Sequence, residues 1–407
     1  MRDVIIDRTG DRDNRPDRHA TAGATDQDLG LYVHWPFCTT KCPYCDFNSH
    51  VAARIDHARW RSALVAELEH AALETGGRRL ASIFFGGGTP SLMHAETVAA
   101  VIDRARALFA VDDETEITLE ANPTSVEAGR FAAFAEAGVN RVSLGIQSLD
   151  DRALRFLGRR HDAAEAVRAL DVAMSHFARV SIDLIYARAG QTEADWLAEL
   201  DRALAFEVGH LSLYQLTIEP GTRFHALHDA GRLPVLDDAM QCRLFVATHE
   251  RLAKAGFDTY EVSNHARPGQ ACRHNLIYWR YGDFLGIGPG AHGRLLTSDG
   301  TRVATSRLRS PAEWLEAVRI EGHGALPFQA LAPIETLHEA LLMGLRLTEG
   351  VPLDRLRSLV GDVGPILDVR QVERARREGL LVIDEGRLRA TFAGRMVLDG
   401  LIAAIAP

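Results

Sequence analysis

The apolar positions of the chain change period in a regular way. Short runs with apolar residues at consecutive or alternate positions occur at 31–35, 81–85, 116–120, 141–146, 180–186 and 210–216. Between them lie stretches with apolar residues three and four apart, at 59–73, 96–109, 126–137, 163–177 and 194–206. The first pattern predicts strands and the second amphipathic helices. Their alternation predicts parallel strands joined by crossover helices, an α/β fold. Six such units predict a partial (β/α)6 barrel, although a doubly wound sheet gives the same linear pattern. The position of the polar residues favours the barrel, whose chemistry gathers at the carboxyl ends of the strands. A cysteine-rich loop follows the first predicted strand and Gly86-Gly87-Gly88-Thr89-Pro90 follows the second. Glu120 ends the third, Gln147 the fourth, and Asp183 lies within the fifth.

The ends of the chain read differently. Residues 1–30 offer almost nothing to bury and predict a disordered leader. Residues 31–310 hold the barrel. In 311–407, helical patterns at 311–320, 333–345, 352–360 and 363–378 precede a hairpin at 380–390 turning at Glu385-Gly386, which predicts a mostly helical, winged-helix-like domain. A chain of 407 residues has room for one large core and one small one. A net charge of −9 argues against nucleic acid as a partner. The sequence shows neither a membrane span nor a signal peptide. Five cysteines, three of them in one loop, do not form a disulfide framework and predict a reducing, cytoplasmic setting.

The loop at 38–47 reads Cys-Thr-Thr-Lys-Cys-Pro-Tyr-Cys-Asp-Phe. Cys38, Cys42 and Cys45 suit an iron–sulfur cluster, and three thiolates on four irons leave one iron for an exchangeable amino-carboxylate chelate. A zinc loop completed by His34, Asp46 or His50 is the alternative, but zinc sites favour paired CxxC spacing and no second pair follows. The glycines at 86–88 let main-chain amides approach a ligand closely. Glu120 and Gln147 suit an exposed strand end as well as a site. Asp183, among Ile182, Leu184 and Ile185, requires a partner. Arg159 is a candidate for that role, for a ligand carboxylate, or for the solvated surface.

CxxxCxxC with the aromatic Tyr44 before its last cysteine resembles the radical SAM superfamily. Gly-Gly-Gly-Thr-Pro-Ser at 86–91, Leu-Glu-Ala-Asn-Pro at 119–123, Ser-Leu-Gly-Ile-Gln-Ser at 143–148, Ser-Ile-Asp-Leu-Ile-Tyr at 181–186 and Tyr-Glu-Val-Ser-Asn at 260–264 extend the likeness. From residue 31 to about 400 the chain resembles the oxygen-independent coproporphyrinogen III oxidase-like branch, and within it the HemW-type haem chaperones. The resemblance implies that Cys38, Cys42 and Cys45 ligate a 4Fe-4S cluster. It implies that Tyr32, Gly87, Glu120, Gln147, Arg159 and Asp183 surround S-adenosyl-L-methionine, with Tyr44, Gly88 and Thr89 on the same rim.

The HNxxYW motif at 274–279 resembles that of the haem chaperones, and the resemblance implies haem contact, with His274 preferred, Tyr278 and Trp279 walling the porphyrin, and Cys272 and His265 second in rank; the residues alone equally suit a filled core and a histidine that caps a turn. The family's usual Gly-Leu-Pro after the fifth strand is Ala187-Arg188-Ala189 here, which predicts an arginine in the mouth of the barrel. The function implied is a haem chaperone that passes haem to client proteins, some at the membrane surface. The alternative in this branch is the oxidase, which performs SAM-dependent oxidative decarboxylation. Oxidases resemble one another in carrying a cysteine two residues after the third ligand; Phe47 stands there, so no oxidase turnover is expected. The winged unit is expected to cover the barrel, with Arg374, Arg376 and Arg377 on a solvated face.

Overall fold

A computed structural model describes residues 28–360 and 367–406. All six predicted strands form: β1 (Leu29–Trp35), β2 (Leu80–Gly87), β3 (Glu116–Ala121), β4 (Arg141–Gln147), β5 (Arg179–Tyr186) and β6 (His210–Gln215). They pair in parallel in that order. A seventh parallel strand, β7 (Asp283–Ile287), pairs with the free side of β1. Antiparallel strands extend both edges, giving a sheet of 12 strands among the described residues. The six-unit count missed β7 because its five residues, interrupted by Gly286, lack the length of the other runs.

Strand parity organises the interior. Leu31, Val33 and Trp35 on β1, Val142, Leu144 and Ile146 on β4, and Ile182 and Leu184 on β5 are buried in the main core with the crossover helices. The intervening positions, Ser143, Gly145 and Gln147 on β4 and Asp183 on β5, line a cavity instead. Alternate residues of a strand face opposite ways, so one sequence supplies both an oily outer face and a polar lumen.

Two boundaries differ from the expected ones. Residues 1–27 of the expected leader lie outside the described residues, and Leu29 and Gly30 open β1, fully buried in the case of Leu29. The predicted helix at 126–137 is two short ones, Ser125–Ala128 and Phe131–Glu136. The inward-turned Glu127 in the first accepts hydrogen bonds from Ser91 Oγ and the Asn122 amide, which ties that turn to the loops above the strands.

The helix Pro311–Glu321 places Trp314 and Val318 in the barrel's core, and Gln329–Ala330 adds a last strand to the large sheet. A second core packs Tyr281 against Leu337, Leu341, Leu345, Leu356, Val372, Leu381, Leu388 and Ile402. Its three-stranded sheet contains the predicted hairpin, strands Leu381–Asp384 and Arg387–Ala390. Glu385 and Gly386 turn between them with φ of 47° and 72°, the backbone of a type I′ turn. The start of the predicted helix at 363 falls outside the described residues, and the helix is described from Val369 to Arg377. Ion pairs fasten this winged domain to the barrel: Arg294–Glu339 at 2.6 Å, Arg280–Glu349 at 2.8 Å and Arg346–Glu261 at 3.1 Å.

Candidate functional site

A cavity of about 690 Å3 opens at the carboxyl ends of the strands. Cys38, Cys42, Tyr44, Cys45, Gly87, Gly88, Thr89, Glu120, Gln147, Arg159 and Asp183 all line it. Six strands and the loops after them thus converge on one volume, as parallel barrels allow.

The cysteine loop is braced on three sides. Phe37–Cys38 pairs with His50–Val51 as a two-stranded ribbon. Asn48 donates to the carbonyls of Pro289 and Arg309, both at 3.0 Å. Pro43 accepts from the Phe224 amide at 2.8 Å while the Tyr44 and Phe224 rings pack 6.3 Å apart. All three cysteines are free thiols, and two of them receive hydrogen bonds: Thr89 Oγ1 donates to Cys38 Sγ at 3.3 Å and Arg159 Nη1 to Cys42 Sγ at 3.5 Å. Burial pushes the Cys38 and Cys45 thiols up, so an unloaded loop holds protons that metal binding would displace. His34 and His50 do not complete a ligand set with these thiols. His34 bonds Tyr32 and the Asn48 carbonyl at 3.1 and 3.0 Å, and His50 bonds Asn48 Oδ1 at 3.2 Å.

The deeper wall is acidic. Glu120 Oε2 accepts from the Gly87 amide at 3.3 Å, and Asp183 accepts from Ser143 Oγ at 3.1 and 3.2 Å. Both carboxyls meet water only through the cavity. Burial, and then the charge of Asp183, push Glu120 up to about 8; burial also raises Asp183. Arg159 is not the direct partner of Asp183. Its Nη2 donates to Asn122 Oδ1 at 2.6 Å and to the Gly145 carbonyl at 2.8 Å, while its buried Nε has no partner. Gln147 stands at φ 69°, a left-handed conformation that costs a non-glycine residue free energy and collects at functional sites. A Cβ on Gly88 would lie 2.7 Å from the Phe37 carbonyl oxygen, so that turn admits only glycine.

One expectation is corrected, and two of the expected site residues do not line the cavity. Arg188 does not enter the mouth of the barrel. It is buried, with Nη2 2.6 Å from Glu199 Oε2 and Nη1 2.7 Å from the Ile185 carbonyl, because a buried guanidinium requires a carboxylate and helix Glu193–Leu204 supplies one. His274 is not on the cavity. It is fully buried, with Nδ1 2.7 Å from Ser82 Oγ and Nε2 3.1 Å from Tyr278 Oη, and it stacks on Phe84 at 4.8 Å. Burial pushes it down to about 3, and the hydroxyls of Ser82 and Tyr278 engage both ring nitrogens. Tyr32 is half-buried on the inward side of β1, bonded to His34 and 6.2 Å from the His274 ring, and is not among the residues that line the cavity. The second-rank residues are likewise engaged: Cys272 donates to Glu116 at 3.3 Å and His265 bonds Thr259 at 2.8 Å.

Comparisons with known proteins agree with this geometry. Residues 32–203 match the Radical SAM superfamily and residues 331–397 the HemN C-terminal domain. The chain is 41% identical, over 93% of its length and 87% of the relative's, to the mitochondrial radical S-adenosyl methionine domain-containing protein 1 of Mus musculus. The chain belongs to the radical SAM superfamily. Within it, the protein is 36% identical to heme chaperone HemW of Escherichia coli, over 92% of this chain and 97% of that one. The solved coproporphyrinogen III oxidase HemN of Escherichia coli shares the fold, with a TM-score of 0.77 at 21% identity over 93% and 90% of the two chains.

Membership of this superfamily implies a 4Fe-4S cluster and S-adenosylmethionine, and the residues present fit both. Three free thiols with O–H and N–H donors aimed at sulfur suit a thiolate-held cluster. The Gly87–Thr89 turn and the two carboxyls suit an amino acid joined to a sugar. Sequence reasoning passed over Asn122, Ser143, Tyr214 and Arg346, which also line the cavity. For Ser143 and Tyr214 a signal was present: each shares its strand parity with another polar residue, Ser143 with Gln147 four positions on in β4 and Tyr214 with Ser212 two positions back in β6.

Proposed function

We propose that the protein is a haem chaperone of the radical SAM family, which binds haem alongside a cluster and S-adenosylmethionine and hands haem to acceptor proteins. The observation that carries this reading is the 36% identity to HemW heme chaperones spread over nearly the whole of both chains, together with Phe47 at the position where oxidases of this branch have a further cysteine.

Cys38, Cys42 and Cys45 would hold the cluster. When bound, it supplies an open iron for a chelating amino acid and an electron for the sulfonium. The chain's own groups do the positioning. Thr89 and Arg159 place donors on two of the thiols, which favours the charged, metal-binding thiolates. Glu120 and Asp183 offer acceptors to ammonium and ribose hydroxyls. Tyr186, Ile185 and Leu213 line the same cavity and exclude water from its floor. Haem would be taken up at this cavity rather than at His274. We place the protein in the cytoplasm, with acceptors that include proteins at the membrane surface. Among the described residues no helix is long and apolar enough to cross a membrane.

The test is to reconstitute the cluster anaerobically, load haem, and mix the loaded protein with an apo-haemoprotein. Transfer of the Soret absorbance to the acceptor is expected. Conversion of coproporphyrinogen III to protoporphyrinogen in a parallel assay would replace the reading with the oxidase.

A further inference from the structure

We infer that Arg346 anchors a carboxylate of the ligand in the cavity, making the winged domain a contributor to ligand selection. The inference rests on the haem-chaperone reading and assigns to this position the recognition of an apolar macrocycle that carries carboxylate arms.

Arg346 follows helix Pro333–Gly344 of the winged domain, yet it lines the barrel's cavity. Its setting is built. The guanidinium carbon lies 4.6 Å above the Trp279 ring, a cation–π contact that fixes the plane of the group. Nε and Nη2 face Glu261 Oε2 at 3.3 and 3.1 Å. Glu261 is fully buried and also accepts from the Ser263 amide at 2.9 Å and from Asn264. One edge of the guanidinium is therefore committed, while Nη1 has no hydrogen-bond partner among the described residues. Five N–H donors in a planar fork serve two carboxylates at once, so the outer edge suits a second, mobile one.

The other cations on the cavity are placed for different work. Arg159 is occupied by Asn122, Gly145 and a cluster thiol. Lys41 reaches the carbonyls of Phe47 and Ser49 within the cysteine loop, at 3.4 and 3.5 Å, and Arg160 is exposed at the rim. Arg346 shares the cavity with Phe245, Val262, Leu213 and Tyr214, which offer an apolar body somewhere to lie while its acidic arm is held. The location also gives the HNxxYW motif a role that His274 does not: its tryptophan is the platform under the cation.

Arg346 joins the winged domain to the loop before strand Asn264–Ala266, beside which Glu261 bridges to Leu347. A ligand carboxylate would share the arginine with Glu261, so occupancy would register at the seam between the two domains.

The experiment titrates the reconstituted full-length protein with haem and with haem dimethyl ester, whose two carboxylates are blocked, and follows the Soret band. The wild type is expected to favour the diacid by about tenfold or more, the size of one charge-assisted hydrogen-bonded contact. In Arg346→Met the two affinities should converge, with ester binding unchanged within about twofold. Because that variant leaves Glu261 buried without its cation, the double variant Arg346→Met/Glu261→Gln is run beside it; convergence there, with an unaltered far-ultraviolet spectrum, supports the same conclusion. Retention of the wild-type preference in either folded variant overturns the inference and leaves the chaperone reading standing. Failure of the wild type to bind either compound removes the chaperone reading itself.

Discussion

Arg188 and Glu199 form an ion pair of 2.6 Å with side chains only 9% and 6% exposed. The pair sits under the loop that follows β5, and Glu199 reaches on to the Leu149 amide at 2.7 Å and to Ser148, beside the left-handed Gln147. The loop at Ala187-Arg188-Ala189 is thus held by a contact that also braces the end of β4. Breaking a buried pair by removing one partner leaves a charge without compensation. Arg188→Ala is expected to lower stability by about 3–5 kcal/mol, and the double replacement Arg188→Met/Glu199→Leu by much less. Denaturant unfolding checks this; a single variant within about 1 kcal/mol of wild type would contradict the role given to the pair.

Glu120 makes the unloaded protein sensitive to alkali. Its carboxyl is raised to about 8, above the value of the unfolded chain, so the folded state keeps a proton that the unfolded state has released. The stability gained is complete below the ordinary carboxylate range and is lost as pH rises through about 8. Asp183 is shifted in the same direction, and its contribution remains in Glu120→Gln. Between pH 6 and 9 the unfolding free energy of the apo-protein should fall more steeply in the wild type than in Glu120→Gln, by on the order of a few kcal/mol. Parallel slopes would contradict the assignment.

Gly87 is required where β2 ends. Its φ is 111°, and an added Cβ would lie 2.5 Å from His34 Cε1. The amide it presents to Glu120 depends on that backbone. Gly87→Ala should cost about 1–3 kcal/mol and weaken S-adenosylmethionine binding more than tenfold. Isothermal titration and thermal unfolding together test this, since a variant that binds as wild type would show the conformation to be incidental.

The sequence made the architecture legible where a single force dominated. Apolar periodicity located the strands because each buries one full face, as Val142, Leu144 and Ile146 do. Chemistry at the strand ends was legible because Cys38, Gly87, Glu120 and Gln147 follow the same rule of parallel barrels. What failed were side chains whose partners sit on a different element, which local pattern does not bring to them. Arg188 reads as a mouth residue until helix Glu193–Leu204 brings Glu199 to it. His274 reads as a ligand until Ser82, distant by 192 positions, takes its Nδ1. Arg346 lies in the second domain, and no local pattern ties it to a cavity in the first.

The five cysteines should divide by position. Serine at Cys38, Cys42 or Cys45 is expected to reduce iron and acid-labile sulfide after reconstitution to a small fraction of the wild type. Serine at the exposed Cys242, which lies outside the loop, should leave both unchanged, and so should serine at the buried Cys272. Equal metal content in the loop variants and the wild type would move the cluster elsewhere.

The most direct measurement is the electron paramagnetic resonance spectrum of the reconstituted, dithionite-reduced protein before and after S-adenosylmethionine is added. A loop with three thiolates leaves an iron that the added molecule can chelate, so the spectrum is expected to change shape and g values, and to stop doing so in Gly87→Ala. A cluster signal indifferent to S-adenosylmethionine in the wild type, or no cluster signal at all, would contradict the account.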